Sequence, residues 1–240
     1  MKALFYIISL FPKTFFVYLV DIYIFSKLFR FFKSYKITKI NLKIAYPDLN
    51  PSDINLLAKL SIRESIISGY ETIYTWGRRS HESNSQVFKI ENNFLLKNLV
   101  NKRKGLIAVA IHNRSVDMLL RWLNSNFVTV SLYKKIKINV LDRFVKRERE
   151  AGGSKSIETS IHGVRKILKA LMSKEIICFA ADQVPQRGHG EYIKFYNKEA
   201  YSTTLVQSLA AKTNAPVLYF YLNSNKEGFL SLNGNITFGL

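Results

Sequence analysis

Residues 105–117 read GLIAVAIHNRSVD, a continuous apolar run that ends in a polar loop. Short runs of this kind predict strands buried on both faces of a sheet. Similar runs occupy 127–132, 176–181 and 217–222, with helical stretches near 115–124, 137–150, 162–173 and 202–213. This alternation predicts an α/β fold with a mixed, largely parallel sheet flanked by helices. A terminal hairpin is expected to follow, with arms at 229–232 and 235–238 around Asn233 and Gly234.

Polar side chains follow two of these strands. His112 comes directly after the first, with Asp117 five positions later, and Asp182 and Gln183 follow the run at 176–181. Functional groups of open α/β sheets gather beyond the carboxyl ends of strands, so these side chains are expected at one crevice. A histidine there can take a proton from a hydroxyl, and a nearby carboxylate can hold its tautomer. Spacing alone leaves the ordinary alternatives open, namely a solvated histidine and an aspartate that caps a helix.

The first 36 residues form an apolar, aromatic segment that differs from the rest of the chain. Its second half carries Asp21, and then Lys27, Arg30 and Ser34 recur opposite a set of apolar side chains: Phe25, Leu28, Phe29 and Phe32. This pattern is typical of a basic amphipathic helix that lies in the headgroup plane of a membrane. We therefore expect a membrane anchor, either interfacial or a kinked span, and the alternative is a core helix of a soluble protein.

A long helix is expected after this segment. Residues 37–50 are interpreted as a connector, Ser52 as the N-cap, and the closing residues as Gly77, Arg78 and Arg79. Apolar residues recur at intervals of three and four between positions 54 and 76, which indicates helical amphipathicity.

Composition restricts the function. The 240 residues include 36 Lys+Arg and 17 Asp+Glu, a net charge of +19, which implies an anionic partner: an anionic membrane, an acidic protein or substrate, or nucleic acid. Nucleic acid is not expected, because aromatic residues concentrate in the N-terminal segment instead of between the basic clusters and no nucleic-acid motif occurs. We expect no cofactor and no metal, since Cys178 is the only cysteine and four histidines offer few ligands.

Several elements, taken in order, resemble the late acyltransferases of lipid A biosynthesis, the lauroyl and myristoyl transferases of the glycerolipid acyltransferase superfamily. His112-x4-Asp117 is similar to the histidine–acid motif of the superfamily, and Asp182-Gln183 to an Asp-Gln element. The resemblance also includes Asn41-Leu42, Tyr46-Pro47, Ser115, Tyr133, Asn139, Arg147, Arg149 before Gly152, Phe195-Tyr196, Ala200, Ser202-Thr203-Thr204, Leu209-Ala210 and Ala215-Pro216-Val217. The departures are Lys134-Lys135 in place of Arg-Pro, Asn197 in place of Gly, and an end at Leu240 that is expected to lack the C-terminal segment of the family.

The resemblance implies acyl transfer from an acyl-carrier-protein thioester to a hydroxyl of a phosphorylated saccharolipid, the lipid A precursor, at the cytoplasmic face of the inner membrane. His112 would be the general base and Asp117 its partner, while Arg149 and Arg187 would bind acceptor phosphate. Ser115, Asp182 and Gln183 are further substrate-binding candidates. The implied division is a membrane region over 1–36 and an acyltransferase domain over 37–240. The alternatives are a (lyso)phospholipid, glycolipid or aminolipid acceptor, and an inactive membrane-associated homologue.

Overall fold

The structure, a computed structural model, describes residues 1–224 and 230–237. Its helices are α1 Lys2–Ser9, α2 Lys13–Phe25, α3 Lys33–Ala45, α4 Pro51–Gly77, α5 Ser80–Asn84, α6 Asn93–Asn101, α7 Val116–Asn126, α8 Asn139–Arg149, α9 Ile161–Met172 and α10 Leu205–Thr213. Its strands are β1 Val87–Glu91, β2 Leu106–Ala110, β3 Thr129–Tyr133, β4 Lys155–Glu158, β5 Ile176–Ala180, β6 Gly190–Phe195, β7 Lys198–Thr203, β8 Val217–Ser224 and β9 Leu230–Thr237.

The main sheet of the described chain has seven strands in the order β1-β9-β8-β2-β5-β3-β4. The five strands from β8 to β4 are parallel, β9 runs antiparallel to β8, and β1 pairs parallel with β9. This confirms the predicted α/β class and the mixed, largely parallel sheet. The short strands β1, β4, β6 and β7 had not been predicted, and β7 delays the start of α10 to Leu205.

The predicted terminal hairpin is wrong within the described residues. Asn233 and Gly234 lie inside the single strand β9, opposite Tyr221 and Phe220 of β8. An unbroken antiparallel partner thus holds this segment extended, and the Asn-Gly pair makes no turn. Residues 229 and 238 of the expected arms lie outside the described residues.

Strand β2 occupies the middle of the sheet and is buried on both faces. Leu106, Ala108 and Ala110 pack in one core cluster, which includes residues of α7, whereas Ile107 and Val109 pack in a second one with residues of α9 and α10. Burial on two faces explains why the run is apolar without alternation.

The N-terminal region is broken into short helices that pack against α4. Val20, Ile24 and Phe29 are buried against a cluster that includes Ala58 and Ile62 of α4. The predicted continuous amphipathic helix is wrong, because Lys27 adopts φ +60° and ends α2, and a 3₁₀ turn, Leu28–Phe31, follows.

Two helix boundaries, the start of the connector and the N-cap of α4, differ from expectation. Most of the expected connector 37–50 is helical, since α3 extends to Ala45. The N-cap of α4 is Asn50, whose side chain accepts a hydrogen bond from the Asp53 N–H at 2.9 Å, so the cap precedes Ser52 by two residues. The expected domain boundary at residue 36 falls inside α3.

The outer surface of this region is strongly apolar. Phe25 is 86% exposed and Phe31 82%, and further exposed apolar side chains include Leu4, Ile7, Phe11 and Leu28. Among the described helices, none alone has both the length and the apolar character of a membrane span; α1 and α2 meet these criteria only as a pair, which is bent by 86°.

Candidate active site

The candidate site lies where the neighbouring parallel strands β2 and β5 end. The register aligns Ala110 with Ala180, so the loops that follow carry His112 and Asp182 to the same edge of the sheet. The Asp182 carboxylate binds His112 twice: Oδ1 lies 2.7 Å from the ring Nδ1, and Oδ2 accepts from the backbone N–H at 2.7 Å. A carboxylate only accepts, so Nδ1 carries the proton and the Nε2 lone pair is left available.

Asp117 is the second residue of α7 and has a different partner from His112. Its Oδ1 accepts from Arg149 Nε at 2.7 Å, and its Oδ2 accepts from Arg149 Nη2 at 3.1 Å. The expected hydrogen bond from His112 to Asp117 is therefore replaced by one to Asp182. Helix α7 begins at Val116 and turns Asp117 toward the last turn of α8, where Arg149 lies.

This pairing keeps the guanidinium of Arg149 charged although its side chain is only 18% exposed. Burial opposes the charge of the guanidinium, but the Asp117 carboxylate outweighs that effect and raises the pKa of Arg149 above its ordinary value. The interaction therefore joins the start of α7 to the end of α8 beside the site.

A buried ion pair anchors the loop to α4. The guanidinium of Arg114 donates to both oxygens of Glu71, Nε to Oε2 at 3.1 Å and Nη2 to Oε1 at 2.6 Å. Only 7% of the Arg114 side chain and 2% of the Glu71 side chain are exposed. Glu64 also accepts from Arg114 Nη1 at 2.7 Å, and the Lys13 ammonium of α2 lies 3.1 Å from Glu71. Charge thus connects α2, α4 and the loop that carries His112.

Two neighbouring side chains complete this anchoring. Asn113 donates its amide to the Leu222 carbonyl of β8. Ser115 is buried and caps α7: its hydroxyl accepts from the Met118 N–H at 3.2 Å and lies 2.8 Å from the Thr72 hydroxyl. Both of these contacts of the Ser115 hydroxyl are with groups of the protein itself.

A cavity of about 380 Å³ opens beside His112. Its apolar wall includes Val116 and Leu120 of α7, Leu132 of β3 and Phe179 of β5, and its polar lining includes Arg149 and Gln183. Cys178 also contributes to the wall, where burial raises the pKa of its thiol to about 12. Apolar walls with few polar groups at the opening are typical of a site for a largely apolar ligand.

Comparison with known proteins gives the family. The family model described as bacterial lipid A biosynthesis acyltransferase matches residues 2–233. The chain belongs to this family. A search of the curated proteins found no match.

The match to the lipid A acyltransferase family includes the helices α1–α4 as well as the sheet, since it extends from residue 2 to residue 233. The family implies acyl transfer, with an acyl donor and a lipid acceptor. The resemblance inferred from the sequence is confirmed at this level.

The remaining predicted site residues of this acyltransferase lie in the loop after β5. Gln183 lines the cavity, whereas Arg187 is exposed further along the loop. Within the described residues, no three His, Cys, Asp or Glu side chains are grouped so that they could hold a metal ion.

Two residues near this site, Glu71 and Arg114, were missed by sequence reasoning. Glu71 lies on α4 among the apolar residues that predicted the helix. Its burial could be inferred only together with its partner, Arg114. The available signal was an arginine between His112 and Asp117, in a loop that directly follows a buried strand. A cation at that position needs a buried acidic partner from another element.

Proposed function

We propose that this acyltransferase moves a fatty acyl chain from an acyl-carrier-protein thioester to a hydroxyl of a lipid A precursor, with His112 as general base. The observation that carries the proposal is the hydrogen bond from His112 Nδ1 to Asp182 Oδ1, which leaves Nε2 free to accept a proton beside an apolar cavity. Asp182 therefore takes the part of the acidic partner that the sequence had suggested for Asp117.

The proposed reaction has two proton transfers. His112 Nε2 takes the proton of the acceptor hydroxyl while its oxygen bonds to the thioester carbonyl carbon, and the carbonyl oxygen becomes an oxyanion. The C–S bond then breaks, its electron pair goes to sulfur, and the imidazolium returns the proton to give the free thiol of the carrier. The Asp182 carboxylate stabilises the imidazolium between these steps.

The cavity suits the acyl chain of the donor. Its apolar wall between α7 and the sheet can hold the hydrocarbon, while the opening lies next to His112. Arg149 uses Nε and Nη2 for Asp117, so its Nη1 is the candidate donor to an anionic oxygen of the substrate. Gln183 at the opening and Arg187 on the exposed loop are the candidates to bind the polar, phosphorylated part of the acceptor.

The proposed donor and location follow from charge and exposure. Lys134, Lys135 and Lys137 are exposed after β3, and Lys134 lies at the cavity. Such a surface would steer an acidic carrier protein toward the opening. The exposed apolar side chains of α1–α3 and the net charge of +19 support attachment to an anionic membrane, at the cytoplasmic face of the inner membrane where the carrier is available.

The acceptor is tested with the full chain and a radiolabelled acyl-carrier-protein thioester, offered a lipid A precursor or a lysophospholipid. We expect mass spectrometry to show one added acyl group on the lipid A precursor, and His112→Ala to abolish most of it. Acylation of the lysophospholipid alone would assign the other acceptor class, and no product with either would favour an inactive homologue.

The donor is tested by reversing the three lysines to glutamate. We expect the KM for the carrier thioester to rise while kcat changes little and the KM for a coenzyme A thioester stays the same. If the lysines instead face lipid headgroups, the variant loses binding to anionic vesicles and keeps its donor KM.

A further inference from the structure

Strands β6 and β7 form a separate two-stranded sheet that follows the site loop. They pair from Gly190 with Thr203 to Phe195 with Lys198. Tyr196 and Asn197 connect them with positive φ angles of 48° and 58°, the conformation of a tight two-residue turn. We call residues 192–198 the hairpin tip.

Most of the hairpin tip is apolar and exposed. Tyr192 is 70% exposed, Ile193 49%, Phe195 61% and Tyr196 51%. The Phe195 and Tyr196 rings contact each other with their centroids 4.6 Å apart, so they form one aromatic surface. An exposed cluster of this kind marks an interaction surface more often than an isolated exposed side chain does.

The charges near the hairpin tip are mostly positive. The tip contains Lys194 and Lys198, and Glu199, which follows directly, lies opposite Lys194, so the paired residues 192–201 have a net charge of +1. Lys198 lies directly opposite Phe195, on the same face of the hairpin. Aromatic rings next to lysines suit the boundary of an anionic bilayer, where rings lie among the headgroups and ammonium groups reach the phosphates.

The base of the hairpin is held in place. The Tyr201 hydroxyl accepts hydrogen bonds from the Gly188 N–H at 2.9 Å and the Gly190 N–H at 3.0 Å. At the other end, Tyr196 keeps a bulky ring at a positive φ that glycine would adopt at lower conformational cost. The tip is therefore an aromatic surface on a fixed support.

The two ends of the hairpin reach the cavity that contains His112. Val184 and Pro185 precede β6, and Thr203 and Leu205 lie at the end of β7 and the start of α10; all four line the cavity. Val184 is itself 79% exposed. The base of the hairpin therefore borders the cavity, and its six-residue strands carry the tip about 17 Å away from that base.

We propose that the hairpin tip inserts into the headgroup region of an anionic bilayer and thereby attaches the hairpin, whose base borders the cavity, to the membrane. This is a second attachment point besides α1–α3. Only one part of this proposal rests on the proposed function, namely the identity of the acceptor that enters from the bilayer. The insertion itself is a property of the tip and can be measured without catalysis.

The test places a tryptophan in the tip of the full chain. Phe195→Trp is compared with Phe94→Trp on α6, since both phenylalanines are 61% exposed. Vesicles of phosphatidylglycerol or phosphatidylcholine carry brominated acyl chains that quench nearby tryptophan. We expect a blue shift and quenching for Phe195→Trp on phosphatidylglycerol vesicles, a smaller effect on phosphatidylcholine, and neither effect for Phe94→Trp after subtraction of the parent signal.

A second variant measures what the tip contributes to binding. Phe195→Ser with Tyr196→Ser should weaken partition into phosphatidylglycerol vesicles about tenfold, because burying one large apolar side chain has an effect of this size or greater. Circular dichroism should match the parent, since both rings are exposed.

Three results would overturn the proposal. The first is a Phe195→Trp chain that binds vesicles while its tip emission stays that of water. The second is an unchanged partition of the double serine variant. The third is a blue shift of the Phe195→Trp emission when an acidic carrier protein is added, with no shift when vesicles are added. Failure of acyl transfer with intact tip insertion would contradict the proposed function alone.

Discussion

The carboxylate of Asp182 holds His112 at two points, the ring Nδ1 and the backbone N–H, each at 2.7 Å. The first contact sets the tautomer and the second sets the position of the loop. The residues are 70 positions apart in sequence, and the pairing of β2 with β5 brings them together. In the proposed mechanism, Asp182 therefore acts through His112.

The first prediction concerns these two side chains. His112→Ala should lower the rate of acyl transfer by about 10²–10⁴, the usual contribution of a positioned general base. Asp182→Asn should lower kcat by less, because the base remains while its tautomer and orientation are lost. Both chains should unfold in urea close to the parent, and a His112→Ala chain with parental turnover would eliminate the mechanism.

The second prediction separates Asp117 from Asp182. Asp117→Asn leaves the half-buried Arg149 without a charged partner, so unfolding in urea should require about 1.5–3 kcal/mol less free energy. Its kcat should fall less than that of Asp182→Asn. A larger loss of kcat in Asp117→Asn than in Asp182→Asn, at equal folded fraction, would return the catalytic carboxylate to Asp117.

The third prediction concerns the buried pair Glu71–Arg114. Glu71→Gln should destabilise the chain by about 3 kcal/mol, because it removes the buried countercharge of Arg114 and leaves only Glu64, whose side chain is 43% exposed. Glu91→Gln is the matched control, since it breaks a pair with Lys89 whose side chains are 39% and 58% exposed and should change stability by no more than about 1 kcal/mol. Urea unfolding measures both, and equal effects would show that burial does not decide the contribution.

The fourth prediction concerns membrane attachment through α1–α3. Phe25→Ser with Phe31→Ser should reduce binding to anionic vesicles and leave the unfolding free energy unchanged, because both rings are more than 80% exposed. Phe29→Ser is the contrasting variant: this side chain is 2% exposed, so the chain should lose stability. Vesicle binding of the double variant at the parental level would remove this surface from the attachment, and added salt should weaken the parental binding.

The fifth prediction follows from the thiol in the cavity wall. Burial raises the pKa of Cys178 to about 12, so the thiolate that reacts with iodoacetamide is scarce in the folded chain at pH 8. A raised acid pKa favours the protonated form, so this group contributes stability below its unfolded pKa and loses that contribution as the pH rises through the folded value. Mass spectrometry should find Cys178 unmodified until urea unfolds the chain, and rapid labelling of the native chain would contradict its burial.

The sequence was sufficient for the succession of the central strands and helices along the chain, because short continuous apolar runs alternate with longer helical stretches. It was also sufficient to bring His112 and Asp182 to one edge, since both follow apolar strands. It could not supply their pairing, which depends on the register between β2 and β5 and on the turn of α7 that directs Asp117 to Arg149. The hairpin β6–β7 was missed because its residues are mostly exposed and carry no core pattern.

The strand order also has a consequence for biosynthesis. Strand β2 has β5 on one side and β8 on the other, and β8 begins at Val217. During translation, the apolar helices α1 and α2 leave the ribosome long before the centre of the sheet can close. Under the proposed membrane attachment, the chain reaches a lipid surface while its site is still unassembled, because His112 acquires its carboxylate only once Asp182, 70 residues further along, has been made.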